Sequence, residues 1–250
     1  MVHATPTGTT SRHAIVIADG DVPSRAVLDA AWPGWSDGVA EVIAADGGYA
    51  RAVRLGLRPS LLVGDLDSLS AGALAAAIAD GVAVLRAEVA KDESDAELAL
   101  LEAVRRGATR ITVLGAFGGP RLDHALANLW LLAHPGLTGA VVALLDGAAR
   151  ASLISAPDAA GAAVTAQLPG PIGALVTLLP FGGDAVGVTT RGLRYPLRGE
   201  PLRVGPARGL SNVRDAVDAA VTLVSGQLLV VEGAVPDVAA LSAPSGEDAD

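Results

Sequence analysis

The chain has 250 residues, a formal net charge of −9, a hydrophobic content of 51% and no cysteine. The length predicts one large or two small domains, and the apolar content supports a sizeable core and excludes a disordered chain. The acidic balance argues against a nucleic-acid binder, since no basic surface is available to neutralise phosphates. Without cysteine the chain has no disulfide, no thiolate zinc site and no cysteine nucleophile.

Neither a membrane span nor a signal peptide is expected. The longest uncharged stretch, residues 159–183, contains three prolines and five glycines, and such a segment cannot satisfy its backbone as one helix in lipid. Residues 1–12 lack the apolar core of a signal peptide and predict a flexible tail, and residues 236–250 predict an acidic disordered tail. The cytoplasm is therefore the expected location.

Short apolar runs alternate with helical stretches over residues 13–147. Strands are predicted at residues 14–18, 41–45, 61–63, 82–85, 110–114 and 140–145. Helices are predicted at residues 48–55, 71–79, 95–106 and 122–133. This alternation predicts an α/β domain with a mostly parallel, Rossmann-like sheet that is covered on both faces.

The pattern changes near residue 147, where the helical periodicity fades. Further strands are predicted at residues 174–179, 185–188, 193–197 and 222–231, separated by turns rich in glycine and proline. Residues 148–235 are therefore expected to form a smaller antiparallel β domain.

Carboxylates follow four consecutive predicted strands of the first domain. Ligands of open parallel sheets bind beyond the carboxyl ends of the strands, so these side chains are expected to meet at one edge. The segments are Asp46-Gly47-Gly48, Gly64-Asp65-Leu66-Asp67-Ser68, Lys91-Asp92-Glu93-Ser94-Asp95 and the run from Gly115 to His124. The first of them is equally consistent with an ordinary turn and helix cap.

The spacing of Asp65 and Asp67 favours a metal site over two turn formers. In an extended segment, residues two apart point the same way, so the carboxylates would repel each other unless a cation lay between them. Mg²⁺ fits, because it binds one or two carboxylates together with substrate phosphates.

Asp95 has two interpretations. Ser94 and Glu97 form a capping-box pattern, and the helix dipole favours an acid at this place without any ligand. However, Lys91 is the only lysine of the chain, and a compact ammonium beside carboxylates suits phosphate oxygens. Chance also accounts for that lysine.

The glycines of residues 115–119 allow close backbone approach to an anion, and Arg121 can hold a phosphate with two hydrogen bonds. His124, in the first turn of a helix, is interpreted as structural. The chain has no P-loop, no dinucleotide-binding glycine motif, no nucleophile elbow and no zinc-protease motif. Phosphate chemistry would therefore depend on a metal, carboxylates and isolated cations.

Taken together, these motifs resemble the thiamine pyrophosphokinase (thiamine diphosphokinase) family. The matching segments, in the family's order between about residues 14 and 232, are Ala45 to Gly48, Val63 to Ser68, Lys91 to Leu100, Gly115 to Asn128 and Gly209-Leu210-Ser211-Asn212. The resemblance implies an N-terminal nucleotide-binding α/β domain, a C-terminal thiamine-binding β-sandwich, and a homodimer whose active site lies between subunits.

The resemblance also implies roles for individual residues. The catalytic set is Asp46, Asp65, Asp67, Asp95, Arg121 and Asp123, with Asp65, Asp67 and Asp95 as the Mg²⁺ ligands. The nucleotide contacts are Gly47, Gly48, Lys91, Asp92, Gly118 and Gly119. Thiamine would contact Tyr195, whose ring suits a cationic thiazolium, together with Ser211 and Asn212. Two residues depart from the family's pattern. Pro120 looks like an insertion before Arg121, and Val213 stands where members of the family often have Glu.

The implied reaction converts Mg-ATP and thiamine into AMP and thiamine diphosphate. Three alternatives stay open at this point: a diphosphokinase for another hydroxymethyl heterocycle such as a pterin, a Mg²⁺-dependent phosphohydrolase, and a non-catalytic thiamine or nucleotide sensor. Partners beyond these small molecules and a second copy of the chain are not expected.

Overall fold

The computed structural model describes residues 11–67, 69–88, 92–156 and 162–234. Within these ranges, the helices are α1 Arg25–Ala31, α2 Gly48–Arg54, α3 Ala71–Ala79, α4 Asp95–Arg105 and α5 Leu122–Trp130. The strands are β1 His13–Ile17, β2 Val39–Ala45, β3 Leu61–Gly64, β4 Ala83–Arg86, β5 Arg110–Leu114, β6 Val141–Leu145, β7 Ala149–Ala156, β8 Val164–Gln167, β9 Leu175–Pro180, β10 Ala185–Arg191, β11 Arg198–Leu202, β12 Asn212–Val213, β13 Ala220–Leu223 and β14 Gly226–Gly233.

A ten-stranded sheet runs through both halves of the chain, in the order β12-β9-β14-β7-β6-β5-β1-β2-β3-β4. The six strands from β6 to β4 are parallel to their neighbours, as the alternation of strands and helices predicted. At β7 the pairing becomes antiparallel, because a tight turn joins β6 to β7. The Asp146 carboxylate closes this turn by accepting the backbone N–H groups of Ala148 and Ala149 at 2.6 and 2.7 Å.

A second, four-stranded sheet has the order β11-β10-β13-β8 and is antiparallel throughout. Its apolar side chains face the antiparallel part of the large sheet. Val188 and Val221 on one side meet Val176, Leu178 and Leu228 on the other, and all five are buried. The two sheets therefore enclose a core of their own, with polar residues alternating outwards.

Helices cover both faces of the parallel strands. On one face, Ala99 and Ala103 of α4 pack in one cluster with Val16 of β1. On the other face, Leu28 of α1 packs in a cluster with Ile17 of β1. Alternate residues of one strand thus reach two different cores, which explains the nearly continuous apolar sequence of the strand.

The structure corrects two of the predicted strands and adds elements that the sequence pattern missed. Residues 193–197 do not form a strand: Leu193 makes a single bridge to Arg214, and strand β11 begins later. Pro196 has no N–H to give to a ladder, which explains the interruption. The predicted strand at 222–231 is divided into β13 and β14. Helix α1 and strands β7, β8, β11 and β12 had no predicted counterpart.

Among the described helices, none combines the length and the apolar content that a bilayer span requires.

Candidate functional site

Three of the predicted acidic residues lie together at the carboxyl ends of β2 and β3. One carboxylate oxygen from each of Asp46, Asp65 and Asp67 lies within 4.8 Å of the others. We call these three residues the acidic cluster. Its position at the end of two neighbouring parallel strands is the one that the sequence predicted.

Asp46 enters the acidic cluster through an unusual backbone conformation. Its φ is +45°, and its N–H donates to the carbonyl of Val63 at 2.9 Å. Its Oδ1 is buried and accepts no hydrogen bond from the residues that the structure describes. A buried carboxylate oxygen without a donor is costly unless a cation binds it.

Asp65 and Asp67 come together through a turn, so the expectation of an extended segment was wrong. Leu66, between them, has a φ of +66°, and its side chain is buried in a core cluster with Leu62. The Asp67 N–H donates to Oδ1 of Asp65 at 3.2 Å. The buried leucine therefore anchors the turn that directs both carboxylates outwards.

Asp95 lies beside the acidic cluster, at the first residue of α4. The Ser94 hydroxyl accepts the Glu97 N–H at 3.1 Å, which confirms the predicted helix cap. A Cβ atom added to Gly64 would lie 3.1 Å from Cγ of Asp95 and 3.4 Å from Cβ of Asp46. The glycine at the end of β3 thus leaves room for carboxylates from two other elements.

The charges of the acidic cluster act on one another. The pKa of Asp67 is raised, chiefly by the negative charge of Asp65, with smaller contributions from partial burial and from Asp46 and Asp95. Mutually repelling oxygens and an unpaired buried Oδ1 fit a hard divalent cation such as Mg²⁺.

Arg121 and Asp123 form an ion pair with each other. The guanidinium donates to the carboxylate at 2.9 and 2.5 Å, and both side chains are more than 60% exposed. This contact holds the pKa of Asp123 well below its usual range. Arg121 is also the residue that precedes the first turn of α5. Among the described residues, no direct contact joins this pair to the acidic cluster.

The glycines near the acidic cluster and near the Arg121–Asp123 pair also have structural roles. The N–H of Gly119 donates to Oδ2 of Asp21 at 3.0 Å, so a side chain already binds an amide that was predicted to meet phosphate. A Cβ atom on Gly48 would lie 2.0 Å from the carbonyl oxygen of Ile17. Gly48 therefore permits close packing of α2 on β1, and Gly47 is the N-cap residue of that helix.

Three residues near the site were missed by the sequence analysis: Asp19, Asp21 and Arg51. The guanidinium of Arg51 binds Asp19 and the carbonyls of Gly20 and Gly47. A signal existed for the two acids, because Asp19 and Asp21 follow β1 as the other acids follow their own strands.

Of the predicted thiamine contacts, Asn212 is buried and binds backbone. Its Oδ1 accepts the Tyr195 N–H at 3.0 Å, and its amide nitrogen donates to the Tyr195 carbonyl at 2.7 Å. The Tyr195 residue that it holds is 58% exposed. Ser211 is exposed, has a φ of +57° and donates its N–H to Thr177 at 3.0 Å.

The predicted thiamine contacts lie far from the acidic cluster within one chain. Asn212 belongs to β12, at one edge of the large sheet, whereas the acidic cluster follows β2 and β3 near the other edge. At about 4.8 Å per strand, seven spacings from β12 to β2 correspond to roughly 30 Å. Lys91 and Ser68 lie outside the described residues, and Asp92 is exposed.

Two hollows lie elsewhere in the described structure, and neither is lined by the acidic cluster. One of about 480 Å³ is lined by Asp21, Val22, Phe117, Gly118 and Gly147, among others. It lies between the ends of β1, β5 and β6, where the strand order reverses, and open sheets bind ligands at such a point. A larger cavity of about 1020 Å³, lined by residues that include Trp32, Arg150 and Gln167, does not contain the acidic cluster.

Comparison with known proteins gives a consistent result for both halves of the chain. Residues 36–144 match the family model described as thiamin pyrophosphokinase, catalytic domain. Residues 167–229 match the model described as thiamin pyrophosphokinase, vitamin B1 binding domain. No curated protein sequence matches the chain.

Solved structures share the fold. The chain is similar to thiamine pyrophosphokinase from Bacillus subtilis, with a TM-score of 0.75, 24% identity, and coverage of 90% of this chain and 100% of that one. For thiamin pyrophosphokinase from Geobacillus thermodenitrificans the TM-score is 0.72, with 24% identity and coverage of 90% and 99%. For the Candida albicans protein it is 0.70, with 14% identity and coverage of 90% and 89%.

Two domain models of one family match successive parts of the sequence and together span more than half of it. The chain therefore belongs to the thiamin pyrophosphokinase family.

Proposed function

We propose that this thiamine diphosphokinase binds Mg-ATP at the acidic cluster and transfers its pyrophosphoryl group to the hydroxyl of thiamine. The observation that carries the proposal is the convergence of Asp46, Asp65 and Asp67 at one sheet edge, with Asp95 beside them. Asp65, Asp67 and Asp95 are the proposed Mg²⁺ ligands, and the unpaired Oδ1 of Asp46 supports adding Asp46 to that set. When bound, Mg²⁺ neutralises charge on the triphosphate.

In the proposed reaction, the hydroxyl oxygen of thiamine forms a bond to the β-phosphorus of ATP. The bond between that phosphorus and the oxygen that bridges it to the α-phosphate breaks, and AMP leaves. Lys91 and Arg121 stabilise negative charge on the transferred group. Gly47, Gly48, Asp92, Gly118 and Gly119 border the nucleotide. Asp46 and Asp123 are the two candidate proton acceptors. Arg121 lowers the pKa of Asp123, which weakens it as a base, and Asp46 can take the role only where it does not also bind Mg²⁺.

The test is a product assay with purified protein and Mg-ATP, with and without thiamine. We expect AMP and thiamine diphosphate in equal amounts, and no AMP without thiamine. A pterin alcohol in place of thiamine tests the acceptor, and phosphate release without an acceptor would instead indicate a phosphohydrolase. Ligand binding without any AMP would indicate a sensor.

We also propose that the active site forms between two subunits of a homodimer. The acidic cluster and Tyr195 lie at distant places in one chain, so Tyr195, Ser211 and Asn212 of the partner subunit are proposed to complete the site. Helix α5 supports this arrangement. None of its residues is buried, and Leu122, Leu126 and Trp130 form an apolar stripe with exposures of 73%, 47% and 59%, which is typical of an interaction face.

Mixing two inactive variants tests the shared site. Asp67→Asn and Tyr195→Ala are each expected to be strongly impaired. If subunits exchange and each site uses both chains, half of the dimers are mixed, each mixed dimer holds one intact site, and about a quarter of the wild-type activity returns. No recovery in mixtures shown to contain mixed dimers would contradict the shared site.

The apolar stripe makes a separate prediction about assembly. Leu126→Lys places a charge in the proposed interface, so we expect a monomer by light scattering coupled to size exclusion, where the wild type gives a dimer. Val53→Lys, an equally exposed apolar position on α2 at 54%, is the matched control and should leave the dimer intact. A monomeric wild type would contradict the proposed homodimer.

The finer description of the fold is also a proposal. We describe residues 13–147 as a Rossmann-like nucleotide-binding domain and residues 148–235 as a thiamine-binding β-sandwich. The strand order with its reversal beside β1, and the core between the two sheets, support these terms. The tails predicted at residues 1–12 and 236–250 lie outside the described residues except for residues 11 and 12, and Arg12 binds Glu41. A cytoplasmic location stays a prediction from the sequence.

A further inference from the structure

We propose that the loop of residues 18–24, between β1 and α1, sets the position of the acidic cluster relative to the segment that carries Arg121. Asp21 and Arg51 are the positioning residues of this connection. The inference rests on the proposed function for its kinetic consequences. Its structural content, a hydrogen-bonded bridge across the rim of the sheet, can be tested independently.

On the acidic side, Arg51 makes the connection. Its Nη1 donates to the carbonyl of Gly47 at 2.9 Å, directly after Asp46 in the chain. The same guanidinium donates to Oδ1 of Asp19 at 2.5 Å and, through Nε, to the carbonyl of Gly20 at 2.6 Å. One side chain of α2 thus fastens the turn that bears Asp46 to the loop after β1.

On the other side, Asp21 makes the connection. Its carboxylate accepts the Gly119 N–H at 3.0 Å, and its own N–H donates to the Phe117 carbonyl at 2.8 Å. Gly118 has a φ of +78°, and a Cβ atom there would lie 2.3 Å from Oδ2 of Asp21. The loop and residues 115–119 therefore fit closely, with no space for a side chain between them.

These contacts form a continuous path. It runs from the Asp46 turn through Arg51 to Gly20 and Asp21, and from there to Gly119 and the nearby Arg121. Both ends carry groups that the proposed reaction requires in register around one triphosphate. Loss of a link should reduce turnover more than stability, because misplacement by about 1 Å can cost on the order of a hundredfold in rate.

The first experiment compares Asp21→Ala with Asp21→Asn. Asparagine keeps an oxygen that can accept the Gly119 N–H, and alanine does not. We expect Asp21→Ala to lower kcat by about tenfold or more, with the KM for thiamine within about twofold of wild type, and Asp21→Asn to restore most of the turnover.

Asp184→Ala is the matched control. Asp184 is likewise partly exposed and accepts one backbone N–H, that of Val204 at 2.9 Å, at the start of β10. We expect its loss to leave kcat unchanged. If Asp21→Asn were as impaired as Asp21→Ala, the charge and not the hydrogen bond would matter, and the positioning role would be wrong.

A double-mutant cycle tests whether the two residues serve one connection. If they do, Arg51→Ala combined with Asp21→Ala should reduce kcat little beyond the more severe single variant, because the path is already interrupted. If the two fold-losses multiplied, the residues would act separately and the continuous path would be refuted.

Amide hydrogen exchange supplies a measurement that does not depend on the reaction. We expect faster exchange at residues 117–121 in Asp21→Ala, but not in Asp21→Asn or Asp184→Ala. Unchanged exchange in Asp21→Ala would overturn the inference even in an active enzyme. Absence of thiamine diphosphate formation by the wild type would instead refute the proposed function, and the exchange result would still decide the structural claim.

Discussion

Backbone strain marks the same residues that the motifs selected. Among the described residues, the non-glycine residues with positive φ are Asp46, Leu66 and Ser211. Such conformations cost on the order of 1–3 kcal/mol each and persist where the surroundings enforce them. All three belong to segments identified from the sequence as candidate ligand contacts. The strain is therefore an independent reason to regard these segments as functional.

At the residue scale, we predict that Asp65→Asn and Asp67→Asn each reduce turnover by about a hundredfold or more, a loss of at least about 2.7 kcal/mol in transition-state stabilisation. Each variant keeps the shape of the side chain but removes a charge from the acidic cluster. Steady-state assays over a range of Mg²⁺ concentrations provide the measurement, and circular dichroism checks the fold.

Asp80→Asn is the control for these variants, because it makes the same change at the exposed end of α3. It should leave turnover unchanged. Near-normal activity in both Asp65→Asn and Asp67→Asn would remove these residues from the proposed metal site.

The sequence predicted that Asp46, Asp65 and Asp67 would meet, but not how, and it grouped Asp123 with them although the described Asp123 pairs with Arg121 instead. The position of an acid after a buried strand is enough to place it at the edge of the sheet. The left-handed conformation of Leu66 depends on the core that receives its side chain, and a local pattern contains no such information. For the same reason, nothing in the glycine run indicated that Asp21 would occupy the Gly119 amide.

At the scale of elements, helix α4 is held to the sheet by charges as well as by apolar packing. Glu102 is buried and accepts hydrogen bonds from Arg105 and Arg106 at 2.6 and 2.7 Å. Arg106 continues to Glu41 of β2 at 2.8 Å. These contacts, with Arg105 first, lower the pKa of Glu102 to about 2 from its ordinary 4.5.

This lowered pKa predicts a pH-dependent stability. A group whose pKa is lower in the folded state stabilises the fold above its unfolded pKa, and that contribution is lost as the pH falls from about 4.5 towards 2. Glu102→Gln should therefore cost on the order of 2 kcal/mol at neutral pH. The difference in the free energy of unfolding between Glu102→Gln and the wild type should become smaller as the pH falls through this range.

Urea unfolding at a series of pH values measures this effect. Glu200→Gln removes an exposed ion pair with Arg208 and should change the free energy of unfolding by less than about 1 kcal/mol. An equal cost of Glu102→Gln at pH 7 and at pH 3 would show that the charge of Glu102 is not responsible.

The elements that the sequence predicted correctly are those with strong local signals. The buried parallel strands are short apolar runs between turns, and α4 has its serine cap and a regular apolar face. The wrongly predicted strands lie in the second half, where side chains decide the pairing. Pro196 is a local signal against a strand at residues 193–197, but the bonds of the Asn212 side chain to the N–H and C=O of Tyr195 are a long-range contact that no local pattern indicates.

At the scale of the whole molecule, one sheet passes through both of the domains that the sequence predicted. β6 pairs with β5 on one side and with β7 on the other. A buried set of charged residues in the second half holds β7, the strand that joins the two halves of the sheet. Glu232 of β14 is buried and binds both Arg214 and Arg150 at 2.6 Å, and Arg150 belongs to β7.

This arrangement predicts that damage in the second half destabilises the first half as well. Glu232→Gln would leave the guanidinium of Arg214 buried without a counter-charge. Arg214 is 1% exposed, and this burial already lowers its pKa. Losing one partner of such a pair costs about 3–5 kcal/mol. Because the sheet is continuous, we expect amides of β1 and β3 that exchange through global unfolding to lose protection by the same free energy.

Hydrogen exchange measured together with urea unfolding tests whether Glu232→Gln destabilises both halves of the chain. Asp218→Asn, which removes an exposed ion pair with Arg191, is the control and should alter neither quantity by more than about 1 kcal/mol. If Glu232→Gln lowered protection in β7 and β14 but left that of β1 and β3 unchanged, the two halves would unfold independently. The continuous sheet would then join two separate cooperative units, and the domain division predicted from the sequence would describe the energetics better than the strand pairing does.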